Sequence, residues 1–326
     1  RELISDPTRD DPCWWLCNMH VHQDYVETDG HIPAEWNVDL QETDSGATLI
    51  LKWANCTIPE TTGTFDVILQ IQLQAGTSLS QWSIELQNHV RNLSLFDVVY
   101  PYLGNLDGGE DKTLIIPDGW GRAIQHPAAQ ETIYDYYYPC GRSAMNCFFL
   151  GDGKQTLYIS PHDPDGYTKH FCLTGDPLSG TFTYTLQHPA DTSGQMKNSF
   201  HSPYPIHIGL VEGDWWVAAK VYRAWALTAP WMRKGKLIDR KDMPEWIKKV
   251  VIWARPGTPH EEDIPRVTQD TLAFARYFNV PTAAHWYNWH QIPFDNRYPE
   301  YFPVKKGFKE AVDLLQKEGV AIVPYI

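Results

Sequence analysis

Six residues, His285-Trp-Tyr-Asn-Trp-His290, close an apolar run that begins at Thr282. Imidazole and amide groups exchange hydrogen bonds with hydroxyls, and indole faces pack on the CH-rich faces of pyranose rings. Such a mixture suits a polyhydroxylated ligand. Two further apolar runs end in similar chemistry: residues 249–254 lead into Trp253-Ala-Arg255, and residues 319–326 end in Pro324-Tyr325-Ile326. The six-residue motif, Tyr287 included, forms the best pocket candidate. The residues assigned to substrate binding are Trp253, Arg255, His285, Trp286, Asn288, Trp289, His290 and Tyr325. The bland alternative for each is that the rings fill a core and the histidines are satisfied structurally. The spacing from His285 to His290 matches no metal pair on a strand, and the chain has no Cys-x2-Cys pair, so neither metal nor cofactor is expected.

The elements that must position these residues alternate. Helical periodicity follows Asp263, with Pro265 in the first turn and Val267, Thr271, Phe274, Ala275 and Phe278 on one face. A second helical stripe has Phe308, Ala311, Val312 and Leu315, and Gly319 stops it. Strand–helix–strand–helix–strand with near-continuous apolar strands implies parallel pairing, and such units carry their chemistry at the carboxyl ends of the strands. The connection between the second strand and the second helix, roughly 289–306, is far longer than the usual two to six residues of about such loops. It holds a lone carboxylate, Asp295, expected as a solvated loop residue or a partner of Arg297.

Upstream, the pattern changes to period two. Val67, Leu69, Ile71 and Leu73 alternate with polar residues, as do Trp82, Ile84 and Leu86, then Phe182, Tyr184 and Leu186, then Ile206, Ile208 and Leu210. This predicts half-buried antiparallel strands in a large two-sheet sandwich. Gly213-Asp214 opens a helix over 215–227 whose buried stripe is Ala218, Ala219, Tyr222, Trp225 and Ala226. The expected organisation is a β-sandwich at 1–212, a helix and linker at 213–245, and at 246–326 the N-terminal part of a (β/α)8 barrel, truncated after its third strand. The fold class is thus multidomain, β plus α/β. Asp118-Gly-Trp-Gly-Arg122 is a glycine-rich loop, but no Gly-Lys-Ser/Thr follows it, so it is not a phosphate loop.

A net charge of −13 with 27 basic residues argues against a nucleic-acid partner. No run of about 18 apolar residues exists to span a membrane. The six cysteines, Cys13, Cys17, Cys56, Cys140, Cys147 and Cys172, all fall in the first half, and buried thiols and disulfides are equally good readings. Two N-glycosylation triplets, Asn55-Cys-Thr57 and Asn92-Leu-Ser94, favour an extracellular, secreted location. The 14 Trp and 17 Tyr point either to sugar stacking or to a large aromatic sandwich core.

The order of parts, a wide sandwich, then Gly213-Asp-Trp-Trp-Val-Ala-Ala-Lys-Val-Tyr-Arg-Ala-Trp225, then Met243-Pro-Glu-Trp-Ile247 and a strand, resembles one family. It is a glycoside-hydrolase-like family that joins a galactose-mutarotase-like supersandwich to a catalytic (β/α)8 barrel. It is similar to endo-α-N-acetylgalactosaminidases and, more distantly, to the α-galactosidase clan. Phe96-Asp-Val-Val-Tyr-Pro-Tyr-Leu103 and Leu157-Tyr-Ile-Ser-Pro-His-Asp163 fit the same picture. The resemblance implies a retaining glycosidase acting on a carbohydrate substrate, with acidic catalytic residues on later barrel strands. Those strands have no counterpart here, so the catalytic residues are unknown and the visible chain alone is expected to be inactive. A second fragment or chain that completes the barrel is then a candidate partner. The rival expectation is a non-catalytic carbohydrate-binding or assembly module.

Overall fold

The computed structural model describes residues 15–21, 24–143, 145–190, 198–294 and 296–326. The chain divides into two compact units, Arg1–Trp231 and Met232–Ile326.

The first unit is built from two antiparallel sheets. One has six strands in the order Thr132–Tyr138, Lys169–Asp176, Thr181–Pro189, Ser94–Asp107, Leu16–Val21 and Asp24–Asp29. The other has ten, with Leu79–Asn88, Ile206–Glu212 and Gln155–Pro161 at its centre. Alternation decides what each strand buries. Phe182, Tyr184 and Leu186 from the small sheet and Val67, Leu69, Ile84 and Leu86 from the large one meet in one core. Trp15 sets its edge against Trp53, ring centroids 5.8 Å apart. At the far ends the strands outrun the core: Leu73 and Leu210 keep the apolar phase yet are exposed.

On its other face the large sheet carries the helix Trp215–Ala226. Asp214 caps this helix, its side chain accepting from the backbone N–H groups of Trp216 and Val217. Ala218 and Tyr222 pack on Phe149, Tyr158 and Val211. A three-ring stack runs beside them: His207 on His162 at 3.7 Å, and His162 on Trp225 at 4.5 Å.

The second unit is a three-stranded parallel sheet, Ile252–Ala254, Thr282–Trp286 and Ala321–Pro324, with the middle strand central. The register sets Ala254 beside Ala284, and Ala284 beside Ile322. Two helices, Ile264–Phe278 and Phe308–Lys317, cover one face. Their stripes, Ile264, Val267 and Leu272 with Phe308, Ala311 and Leu315, close over Ala284 and Trp286. Asn279, in the left-handed region, ends the first helix. Gly319 (φ 82°) follows the second, where a Cβ would be strained.

The expected first strand begins later than its apolar run. Lys249 closes a short helix, Glu245–Lys249, and only Ile252–Ala254 pairs. Five of the six cysteines, Cys17, Cys56, Cys140, Cys147 and Cys172, carry free thiols, while Cys13 lies outside the described residues.

Candidate functional site

The pleat of the parallel sheet sorts the end-of-strand residues into two sets. Ala254, Ala284, Trp286 and Ile322 face the helices. His285 and Tyr287 alternate with them and gather on the opposite side, beside Tyr325 from the third strand. The Tyr287 and Tyr325 rings stack at 4.5 Å. His285 lies 4.8 Å from Tyr287 and 5.8 Å from Tyr325. Phe294, from the long loop, sits 5.3 Å from Tyr325. From the first strand, the Arg255 guanidinium lies 4.6 Å from the centre of the Tyr287 ring. This cluster is the candidate site.

Its side-chain polar groups are unspent. Asn288 follows Tyr287 directly, with its amide oxygen beside Gly257. Among the described residues, neither the His285 imidazole, the Tyr287 and Tyr325 hydroxyls, the Asn288 amide nor the Arg255 guanidinium has a hydrogen-bond or ion-pair partner. Around them the backbone is firmly held. The Tyr287 N–H donates to Pro256 O and the Tyr325 N–H to Trp286 O, both at 2.9 Å. Lys305 Nζ donates to Thr258 O at 2.6 Å, Pro259 O at 3.0 Å and Asn288 O at 2.7 Å, which joins the loops after the first and second strands. Burial pushes the Lys305 ammonium below its usual range. A rigid rim with free donors and acceptors is what a hydroxyl-rich ligand requires.

Four of the sequence-predicted residues lie elsewhere, three of them buried. Trp286 is fully buried on the helix side, edge-on to Phe308, and its Nε1–H donates to Thr258 Oγ1 at 3.0 Å. Trp289 is buried too, stacked on Phe308 and Tyr301, with its Nε1–H donating to Tyr325 O at 2.8 Å. His290 is buried, with Nδ1 2.6 Å from Ile292 O. These three are the cluster's scaffold. Trp253 is exposed and lines a cavity of about 390 Å³ with Arg255, Arg266 and Asp270. Sequence reasoning missed Phe294 and Lys305. Neither falls on a periodic element, so only strand geometry reveals them. Asp295 lies outside the described residues.

The sandwich holds ionic groups of its own. Asp118 is buried and accepts from Arg122 at 2.9 Å and from Arg142 at 2.8 Å, and the Arg142 bonds hold its carboxyl below the usual range. Asp163 and Lys169 form a fully buried pair at 2.5 Å. Both are satisfied within the sandwich. No group of three or more His, Cys, Asp or Glu among the described residues is arranged to hold a metal.

Over residues 200–326 the chain matches a family model described as a domain of unknown function, DUF6259. It is 27% identical over 290 residues to a Bacteroides thetaiotaomicron protein named "Putative glycoside hydrolase", covering 88% of this chain and 41% of that protein. It is 30% identical over 291 residues to a Monosiga brevicollis protein named "Putative glycoside hydrolase 22789", covering 80% of this chain and 24% of the relative. The chain is a homologue of both. It therefore spans less than half the length of either. In three dimensions it resembles the α-N-acetylgalactosaminidase NagBb of Bifidobacterium bifidum in complex with GalNAc. The TM-score is 0.62 at 12% identity, over 95% of this chain and 54% of NagBb. At that identity the likeness establishes a shared fold. The resemblance read from the order of the sequence segments thus stands, in relatives and in fold.

Proposed function

We propose that this chain belongs to a glycoside hydrolase and that the Arg255–His285–Tyr287–Asn288–Tyr325 cluster contacts the carbohydrate. The observation that carries the reading is the set of polar side chains, without partners among the described residues, at the carboxyl ends of three parallel strands, in a homologue of proteins named for glycoside hydrolysis. In this proposal the three strands begin a (β/α)8 barrel, and Trp253 and His285 belong to the wall of its mouth. Hydrolysis is retaining: one carboxylic acid protonates the departing oxygen while a carboxylate attacks the anomeric carbon, through an oxocarbenium-like transition state. Among the described residues no Asp or Glu joins the cluster, and in this proposal both carboxylates belong to later strands of the barrel. An extracellular location is part of the proposal, supported by the exposure of both sequon asparagines, Asn55 and Asn92.

The test is turnover of a panel of aryl glycosides by the full-length gene product, in parallel with its His285→Ala variant. Release of the aryl alcohol, reduced at least about ten-fold in the variant, supports the reading. Saturable binding without turnover of any glycoside would instead establish a non-catalytic carbohydrate-binding module, the second reading. That reading is favoured by the lack of a carboxylate pair in the described cluster.

A further inference from the structure

We infer that the ligand of this site is an acidic glycan, and that Arg255 recognises its anionic group. The inference rests on the carbohydrate reading above and goes further by fixing the substrate's charge. Arg255 follows directly on the first strand, so its backbone is set by the sheet, and its guanidinium is held 4.6 Å from the Tyr287 ring centre. Stacking on an aromatic ring leaves the in-plane N–H donors of a guanidinium free to bond at its edge. None of them is used within the described residues.

Three other arginines of this unit have carboxylate partners. In the same unit Arg240 bonds Asp242 at 2.8 Å, and Arg276 bonds Glu318 at 2.8 Å. Arg266, which lines the same cavity as Arg255, is bonded to two carboxylates, Asp263 at 3.2 Å and Asp270 at 3.1 Å. Lys305 is committed to three carbonyls. Among the described residues Arg255 is the one arginine of the cluster and has no ion-pair partner, in a protein of net charge −13. An arginine is always protonated, and its forked donors match a carboxylate bidentately or the oxygens of a sulfate ester. The other groups of the cluster, His285, Asn288 and the two tyrosine hydroxyls, fit sugar hydroxyls. Together they describe a monosaccharide unit with one anionic substituent.

The experiment measures binding of the full-length gene product, wild type, Arg255→Gln and Arg255→Lys, to an array of paired glycans. Each neutral sugar is printed beside its uronic acid and its sulfate ester. The expected result is preference for an acidic member of a pair by at least about ten-fold, lost in R255Q and only partly kept in R255K, with unchanged melting temperature. Preference for the uronic acid over the sulfate ester identifies a carboxylate, and the reverse a sulfate. Equal binding of neutral and acidic members overturns this inference while leaving the carbohydrate reading intact. Acidic preference that survives in R255Q overturns the assignment to Arg255. Binding of no glycan overturns both.

Discussion

The ring of Tyr325 lies face to face with that of Tyr287, centroids 4.5 Å apart and planes 19° from parallel. One tyrosine follows the second parallel strand and the other follows the third, so the stack ties two strand ends together at the point where the pleat brings His285 and Arg255 alongside. Offset aromatic pairs contribute about 0.5–1.5 kcal/mol beyond their buried area. Tyr287→Ala should therefore destabilise the second unit by about 1–2 kcal/mol and reduce glycan affinity by about ten-fold. Tyr325→Phe keeps the stack and should leave stability within about 0.5 kcal/mol while weakening binding several-fold. Chemical denaturation and titration calorimetry on the two variants separate the effects. Equal losses of stability in both would show that the rings are merely packing.

Lys305 offers a second handle on the same rim. Three carbonyls from two loops converge on its ammonium, and Lys305→Met would leave them to water or to nothing. Bonds from a charged donor contribute about 1.5–3 kcal/mol each when fully formed, and partial exposure and shared partners reduce the sum. A loss of about 2–3 kcal/mol is expected. Faster amide exchange should be confined to residues 256–260 and 287–290. Exchange that rises uniformly across Met232–Ile326 would mean that Lys305 stabilises the whole unit rather than the joined loops.

Much of this arrangement is legible in the sequence, and what is not has identifiable causes. The parity of Phe182, Tyr184 and Leu186 predicts a buried face, and they bury it. The same argument holds for the second helix, since Phe308, Ala311 and Leu315 pack where their spacing says, whereas Phe278, expected on the packed face of the first helix, is exposed in its last turn. It fails at the motif's end. Trp286 and Tyr287 are one residue apart, and a single step of register exchanges core for site, so residue type cannot choose between them. Asn288 then takes φ 57°, which breaks the alternation and turns Trp289 and His290 inward. The run at 249–251 misleads for a different reason: its apolar residues follow a short helix, and pairing starts only at Ile252.

Three histidines in the sandwich set an acid limit on stability. Burial pushes the imidazoles of His162 and His188 down to about 3 and that of His207 down to about 4; the neighbouring His207 adds to the shift of His162, and Lys169 to that of His188. In the unfolded chain each would take up a proton near pH 6.5. Between the folded and unfolded values the unfolded state binds more protons, so stability rises with pH and falls as the solution is acidified below about 6.5. Each imidazole contributes about 1.4 kcal/mol per pH unit in that window. The melting temperature should hold between pH 8 and 7 and drop steeply from 6 to 4.5. Imidazole resonances of the three residues should stay in the neutral form down to about pH 5. A flat melting curve down to pH 5, or titration of these rings near 6.5, would refute the argument.

The thiols should divide sharply by reactivity. Cys17, Cys56 and Cys147 are buried, and desolvation raises all three, Cys56 to about 12. Alkylation and exchange proceed through the thiolate, which such environments suppress. Cys140 is exposed, on the turn before Arg142. Iodoacetamide at neutral pH should therefore modify Cys140 within minutes and leave Cys17, Cys56 and Cys147 untouched until the sandwich is unfolded. Peptide mapping after timed labelling reads each site separately. Protection of Cys17 and Cys56 that persists in denaturant and disappears on reduction would reveal a disulfide between them, and with it a different packing of the strands that carry Trp15 and Trp53.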